Sequence, residues 1–169
     1  MEPYEKEEVE ALLKACDYCE EARTADRHRF AMRRSTANRD RAIILTLLDT
    51  GLRASELCAL TIGDVDQKTG KVHVKHGQRG GAKGGKGRLV FLGKAARRAL
   101  WRYLVTRDEG EGPDAPLSVG KLNRVFNKNA LRQLMARLGK KAQVANCHPH
   151  RFRHTFAITI RFSLRVSSG

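Results

Sequence analysis

No stretch of this chain approaches the roughly 20 consecutive apolar residues that a membrane-spanning helix requires. No N-terminal charged-then-apolar segment resembles a secretion signal either. Cysteine is sparse, with four residues among 169, at 16, 19, 58 and 147. Four scattered thiols cannot staple a domain of this size, which points to reduced cysteines in a reducing compartment. Cys16 and Cys19 have the spacing of half a zinc signature, but the second half is missing. Cys16 instead continues the apolar series Val9, Leu12, Leu13, so burial in a helix face is the better reading. Acidic side chains are also short: 18 Asp and Glu stand against 33 Lys and Arg, a net charge of +15 and a pI near 10.3. Such an excess in a chain without a membrane segment predicts a polyanionic partner, nucleic acid before any other, in the cytoplasm.

What is present is enough for one core. The 41% apolar content over 169 residues suits a single globular domain. Residues 5–21, "EKEEVEALLKACDYCEE", have helical spacing with acidic residues in the first turn, where they complement the helix dipole. After a basic stretch, "NRDRAIILTLLDTG" predicts a second helix with an Asn38 cap, an inward face of Ile43, Ile44, Leu47 and Leu48, and Gly51 as the stop. "LRASELCAL" predicts a short third helix capped by Ser55. The period then changes: "DVDQKTGKVHVKH" reads as two short strands joined at Gly70, and "RLVFL" at 88–92 as a third. Helices return in "GKAARRALWRYLVTRD", with Leu100, Tyr103 and Leu104 at core spacing, and in "NKNALRQLMARLG", with Leu131, Leu134 and Leu138 inward and Gly139 as the stop. The expected class is α+β, mostly α-helical, with a small three-stranded antiparallel sheet.

Three stretches carry chemistry. "GQRGGAKGGKG" begins like a P-loop at Gly80, Gly85 and Lys86. However, Gly87 stands where a magnesium-binding hydroxyl belongs, and a strand follows where a helix is needed. What remains is a hairpin tip bearing Arg79, Lys83, Lys86 and Arg88, either a solvated turn or a backbone-contacting loop. In "TGLRASELCAL", Arg53 lies between a helix stop and a helix start, with Glu56 three residues on to hold it; an ordinary surface ion pair is the plain alternative. In "HPHRFRHTFA", residues 148–157, a helix beginning near Pro149 puts His150, Arg153 and His154 on one face and Phe152, Phe156 and Ile160 on the other. A zinc site built from the three histidines is disfavoured by two arginines crowding a dication. An Arg and a His one turn apart can instead grip a phosphate.

In this order and context the three stretches closely resemble the catalytic domain of the tyrosine recombinases, the phage integrase family, from about residue 3 to about residue 160. The resemblance implies that Arg53, Lys83, His150 and Arg153 surround a scissile DNA phosphate, with Glu56 and His154 in support. It implies no metal and no nucleotide cofactor. A tyrosine in the family attacks that phosphate to give a 3′-phosphotyrosyl link and a 5′-hydroxyl. Double-stranded DNA is the expected partner, and Arg79, Lys86, Arg88 and Arg151 are expected to contact it. Two departures accompany the match. The family's later Leu-Gly-His motif and nucleophilic tyrosine have no counterpart, since the tyrosines here are Tyr4, Tyr18 and Tyr103, and the family's separate N-terminal clamping domain has none either. The expectation is therefore a truncated form: domain 1–160, a disordered tail at 161–169, a monomer that binds DNA without cleaving it. A basic RNA-binding protein is the alternative from charge alone.

Overall fold

A computed structural model describes residues 1–17, 34–75, 87–107, 111–120 and 124–166, with the backbone alone for 161–166. Its elements are α1 (Lys6–Asp17), α2 (Ala37–Thr50), α3 (Ala54–Ala59), a 3₁₀ turn (Ile62–Asp64), β1 (Lys71–Val74), β2 (Arg88–Phe91), α4 (Lys94–Val105), α5 (Lys128–Ala142) and α6 (Pro149–Val166). The mostly helical α+β class of the sequence reading is observed.

Helix α2 is the axis of the molecule. Its inward residues Ile43, Ile44 and Leu47 are almost fully buried, and it packs against α1, α4 and α6, while α5 packs against α1 and α3. Leu131, Leu134, Met135 and Leu138 of α5 and Leu12 of α1 complete the core. The first turn of α2 buries a charge pair. Arg39 donates to Asp40 Oδ1 from Nε and Nη2 at 2.9 and 2.7 Å and to the Val119 carbonyl from Nη1 at 3.0 Å. Its guanidinium also lies 5.2 Å from the Phe126 ring centroid. One residue thus ties the segments before α5 to α2, and the bonds satisfy a charge whose burial would otherwise be costly.

The sheet has two described strands rather than three. β1 and β2 pair antiparallel, Lys71 opposite Phe91 through Val74 opposite Arg88. The expected first strand contracts to one bridge, Val65 to Val72. The 3₁₀ turn occupies the chain up to Asp64, and Asp66 immediately starts the next turn by accepting the Lys68 and Thr69 N–H groups and the Thr69 hydroxyl. One residue is left to pair.

Caps also differ from expectation. Thr36, not Asn38, precedes α2, and its hydroxyl donates to Asp40. Arg53, not Ser55, precedes α3. Gly51 does stop α2, in the left-handed region at φ 57°, with its N–H on the Leu47 carbonyl. Gly139 does not stop α5, which runs to Ala142 and ends on Gln143 at φ 57°. Gly139 is instead a notch: a Cβ there would lie 2.5 Å from the Cys147 Cβ. Helix α6 continues to Val166, beyond the point at which a disordered tail was expected. Phe152 is fully buried, but Ile160, expected inward, is 41% exposed.

Candidate active site

The site forms where α2 ends. Gly51 turns the chain out of α2 into the buried Leu52, and Arg53 follows in extended conformation at the head of α3. The Arg53 N–H would be left without a helical partner; it donates to Glu56 Oε2 at 2.8 Å. The Arg53 guanidinium donates to Glu56 Oε1 at 3.2 Å. Arg88, arriving from β2, donates to both carboxylate oxygens at 2.8 Å. This bidentate fork is the strongest geometry available to the pair. Glu56 is buried, 6% exposed. Burial pushes its carboxyl up, but the bonds from Arg88 and from Arg53 overcome that and hold it down at about 2. It is therefore an anion at any physiological pH, fixed between two arginines.

Helix α6 supplies the other wall. The Arg151 N–H at its start donates to the carbonyl and Nδ1 of His148, at 3.1 and 3.3 Å, with Pro149 in the first turn, where its missing N–H removes no bond. Arg153 Nη1 donates to the Gly51 carbonyl at 2.7 Å. The helix seats on the end of α2 because Gly51 has no side chain: a Cβ there would lie 2.3 Å from Cδ1 of Phe156.

Between these elements lies a cleft of about 350 Å³ lined by Leu52, Arg53, Ala54, Arg132, His148, Pro149, His150 and Arg153. Among the described residues, three arginines and two histidines face it and no carboxylate does. Burial lowers the pKa of the Arg153 guanidinium, and the positive charge of Arg53 lowers it further; Glu56 opposes this and Arg88 adds to it. A cation destabilised by its neighbours favours an incoming anion, and guanidinium forks match phosphate oxygens. His150, itself exposed in the first turn of α6, can donate to the same group or exchange a proton with it.

Four of the residues singled out from sequence, Arg53, Glu56, His150 and Arg153, thus come together, and Arg88 joins them through Glu56. His154 does not line the cleft. Arg79, Lys83 and Lys86 lie outside the described residues. Arg151 requires a correction: expected at DNA, it is 8% exposed and hydrogen-bonded to the N-terminal segment and the turn before α6. Arg132 was missed. It follows Leu131 in α5 like any solvated charge, and no local signal says that this turn of α5 meets the start of α6. Among the described residues no cluster of His, Cys, Asp or Glu could hold a metal, and no helix is long and apolar enough to cross a membrane. Neither described tyrosine offers a nucleophile to the cleft. Burial pushes the Tyr4 phenol far up, and the buried Tyr103 hydroxyl accepts the Val119 N–H.

The chain has relatives among known proteins. The XerC tyrosine recombinase of Pseudomonas fluorescens is 37% identical over 121 residues, 72% of this chain and 39% of that protein. The Corynebacterium glutamicum XerC is 33% identical over 143 residues, 85% of this chain and 42% of that protein. The chain spans about two fifths of the length of these curated relatives. Among solved structures, the XerA recombinase superposes with a TM-score of 0.71 at 28% identity, over 95% of this chain and 49% of that one. The XerH site-specific recombinase bound to difH substrate shares the fold, with a TM-score of 0.67 at 20% identity, over 95% of this chain and 43% of that one. A profile of the phage integrase family matches residues 4–161; with Arg53, braced by Glu56, meeting the His150-x-x-Arg153 pair at one cleft, the chain belongs to the phage integrase family of tyrosine recombinases.

Proposed function

We propose that this chain grips a scissile phosphodiester of duplex DNA for site-specific strand breakage and rejoining. The observation that carries the reading is the convergence of Arg53 and Arg153, from different elements, on one cleft with His150 and, among the described residues, no acid. In-line attack on a phosphodiester builds negative charge on the non-bridging oxygens. Guanidinium groups held in advance at those oxygens stabilise the transition state more than the ground state. The role of Glu56 is to hold Arg53 and Arg88 at that orientation. His150 assists as donor or acid–base group, and by family resemblance Lys83 protonates the departing 5′ oxygen. A tyrosine supplied from outside the described residues would attack the phosphorus and break the bond to the 5′ oxygen. The covalent phosphotyrosyl ester then keeps the bond energy for rejoining without ATP.

On this reading the described residues supply the grip and not the nucleophile. A suicide duplex with a nick beside the scissile phosphate should bind the chain and yield no protein–DNA adduct after denaturation; an adduct would overturn the claim. Binding should be weakened by Arg53→Ala and by Arg153→Ala. Single-stranded RNA that outcompetes duplex DNA would favour instead an RNA-binding role, which the charge of +15 alone would also allow.

A further inference from the structure

The side of α6 turned away from the cleft makes a second set of contacts that phosphate binding does not use. Arg151 donates from Nε to the Glu2 carbonyl at 3.0 Å, from Nη1 to the Ala145 carbonyl at 2.8 Å, and from Nη2 to the Pro3 carbonyl at 3.2 Å and Glu8 Oε2 at 2.7 Å. Its guanidinium lies 4.0 Å from the centroid of the Tyr4 ring, and that ring packs 4.5 Å from Phe152. The Tyr4 N–H donates to Thr155 Oγ1 at 2.8 Å, and the Thr155 hydroxyl donates to the Arg151 carbonyl at 2.9 Å. Residues 2–8 are thereby clasped to the helix that carries His150 and Arg153.

Successive residues of a helix are about 100° apart, so Arg151, Phe152 and Thr155 lie on one side of α6 and His150 and Arg153 on the other. Burial of Phe152 holds the helix down but not in rotation, because apolar burial has no direction. The stripe that would fix rotation is weak: Phe156 is only partly buried and Ile160 is 41% exposed. At the front, Arg153 is held by the Gly51 carbonyl through Nη1 alone, which leaves its other N–H groups for a phosphate. One front bond leaves most of the directional restraint on its roll to the bonds behind the helix.

We propose that Arg151 and Thr155 are positioning residues: the clasp to residues 2–8 fixes the roll of α6 and thereby the pose of His150 and Arg153 in the cleft. The proposal rests on the DNA-phosphate reading above but fails separately from it. Thr155→Val keeps the shape and removes both hydroxyl bonds, Thr155→Ser keeps them, and Arg151→Lys keeps a charge facing Glu8 but loses the fork that reaches several carbonyls. The experiment measures, for each variant of the full chain, duplex affinity against salt, the His150 ring resonances by NMR, and thermal unfolding. We expect Thr155→Val and Arg151→Lys to shift the His150 signals and weaken duplex binding by the folded protein about three- to ten-fold. Their log–log salt slope should fall by about 0.9, the value of one phosphate contact. Thr155→Ser should restore all three readouts. A Thr155→Val chain that melts earlier yet keeps wild-type affinity, slope and His150 signals would overturn the proposal and leave the clasp a stability element. If the unmodified chain binds no duplex, the DNA reading fails, and the His150 signals alone decide the clasp.

Discussion

Glu56 shows how one side chain can matter to stability and to the site at once. Its carboxyl sits near 2 in the folded chain against an ordinary 4.5, so ionised Glu56 favours the folded state. That contribution is complete above about pH 4.5 and disappears as pH falls through about 2. Glu56→Gln should therefore lower stability at pH 7 by about 1–3 kcal/mol, the range for hydrogen bonds to charged groups. The gap from the unmodified chain should close on acidification, as urea unfolding at pH 7, 5 and 3 would show. A gap independent of pH would mean that the carboxylate charge is not the stabilising feature. The Arg53–Glu56 half of this pair is legible in sequence because its members are three residues apart on one helical turn. The Arg88 half is not, since its partner lies 32 residues away. Arg151, bonded to Glu8 across 143 residues, was misread because its partner is likewise distant in sequence.

At the level of elements, two glycines with the same sequence signature do different things. Gly51 and Gly139 both follow an apolar helical series, and both were read as stops. Only Gly51 is one, because the stop of α5 is Gln143 in a left-handed conformation that glycine tolerates better. Gln143→Gly should raise stability by about 0.5–1 kcal/mol, as removal of a strained side chain does. Gly139→Ala should lower it by about 1–3 kcal/mol through overpacking against Cys147. Equilibrium denaturation of both variants gives the signs; a destabilised Gln143→Gly would show that the glutamine side chain holds the turn. Helix identity and inward faces were legible because the 3.6-residue period is a property of each segment alone. The missing third strand was not, because the competing turn at Asp66 depends on its side chain finding the Lys68 and Thr69 donors.

At the level of the whole molecule, the charge of +15 makes binding to any duplex sensitive to ionic strength. The logarithm of affinity should fall with the logarithm of salt at about 0.9 per phosphate engaged. Arg53→Ala should make that slope shallower by about one contact, whereas affinity unchanged between low and physiological salt would contradict a phosphate-gripping surface. The clasp also imposes an order on folding. Tyr4 meets Thr155 across 151 residues of chain, and closing so long a loop carries an entropic cost before any contact offsets it. A nascent chain emerging from a ribosome has already released residues 2–8 long before Arg151 and Thr155 are made. Helix α1 must wait unclasped, and His150 and Arg153 join Arg53 only after α6 has been made. Grip on DNA is therefore withheld from any incomplete translation product that stops short of α6.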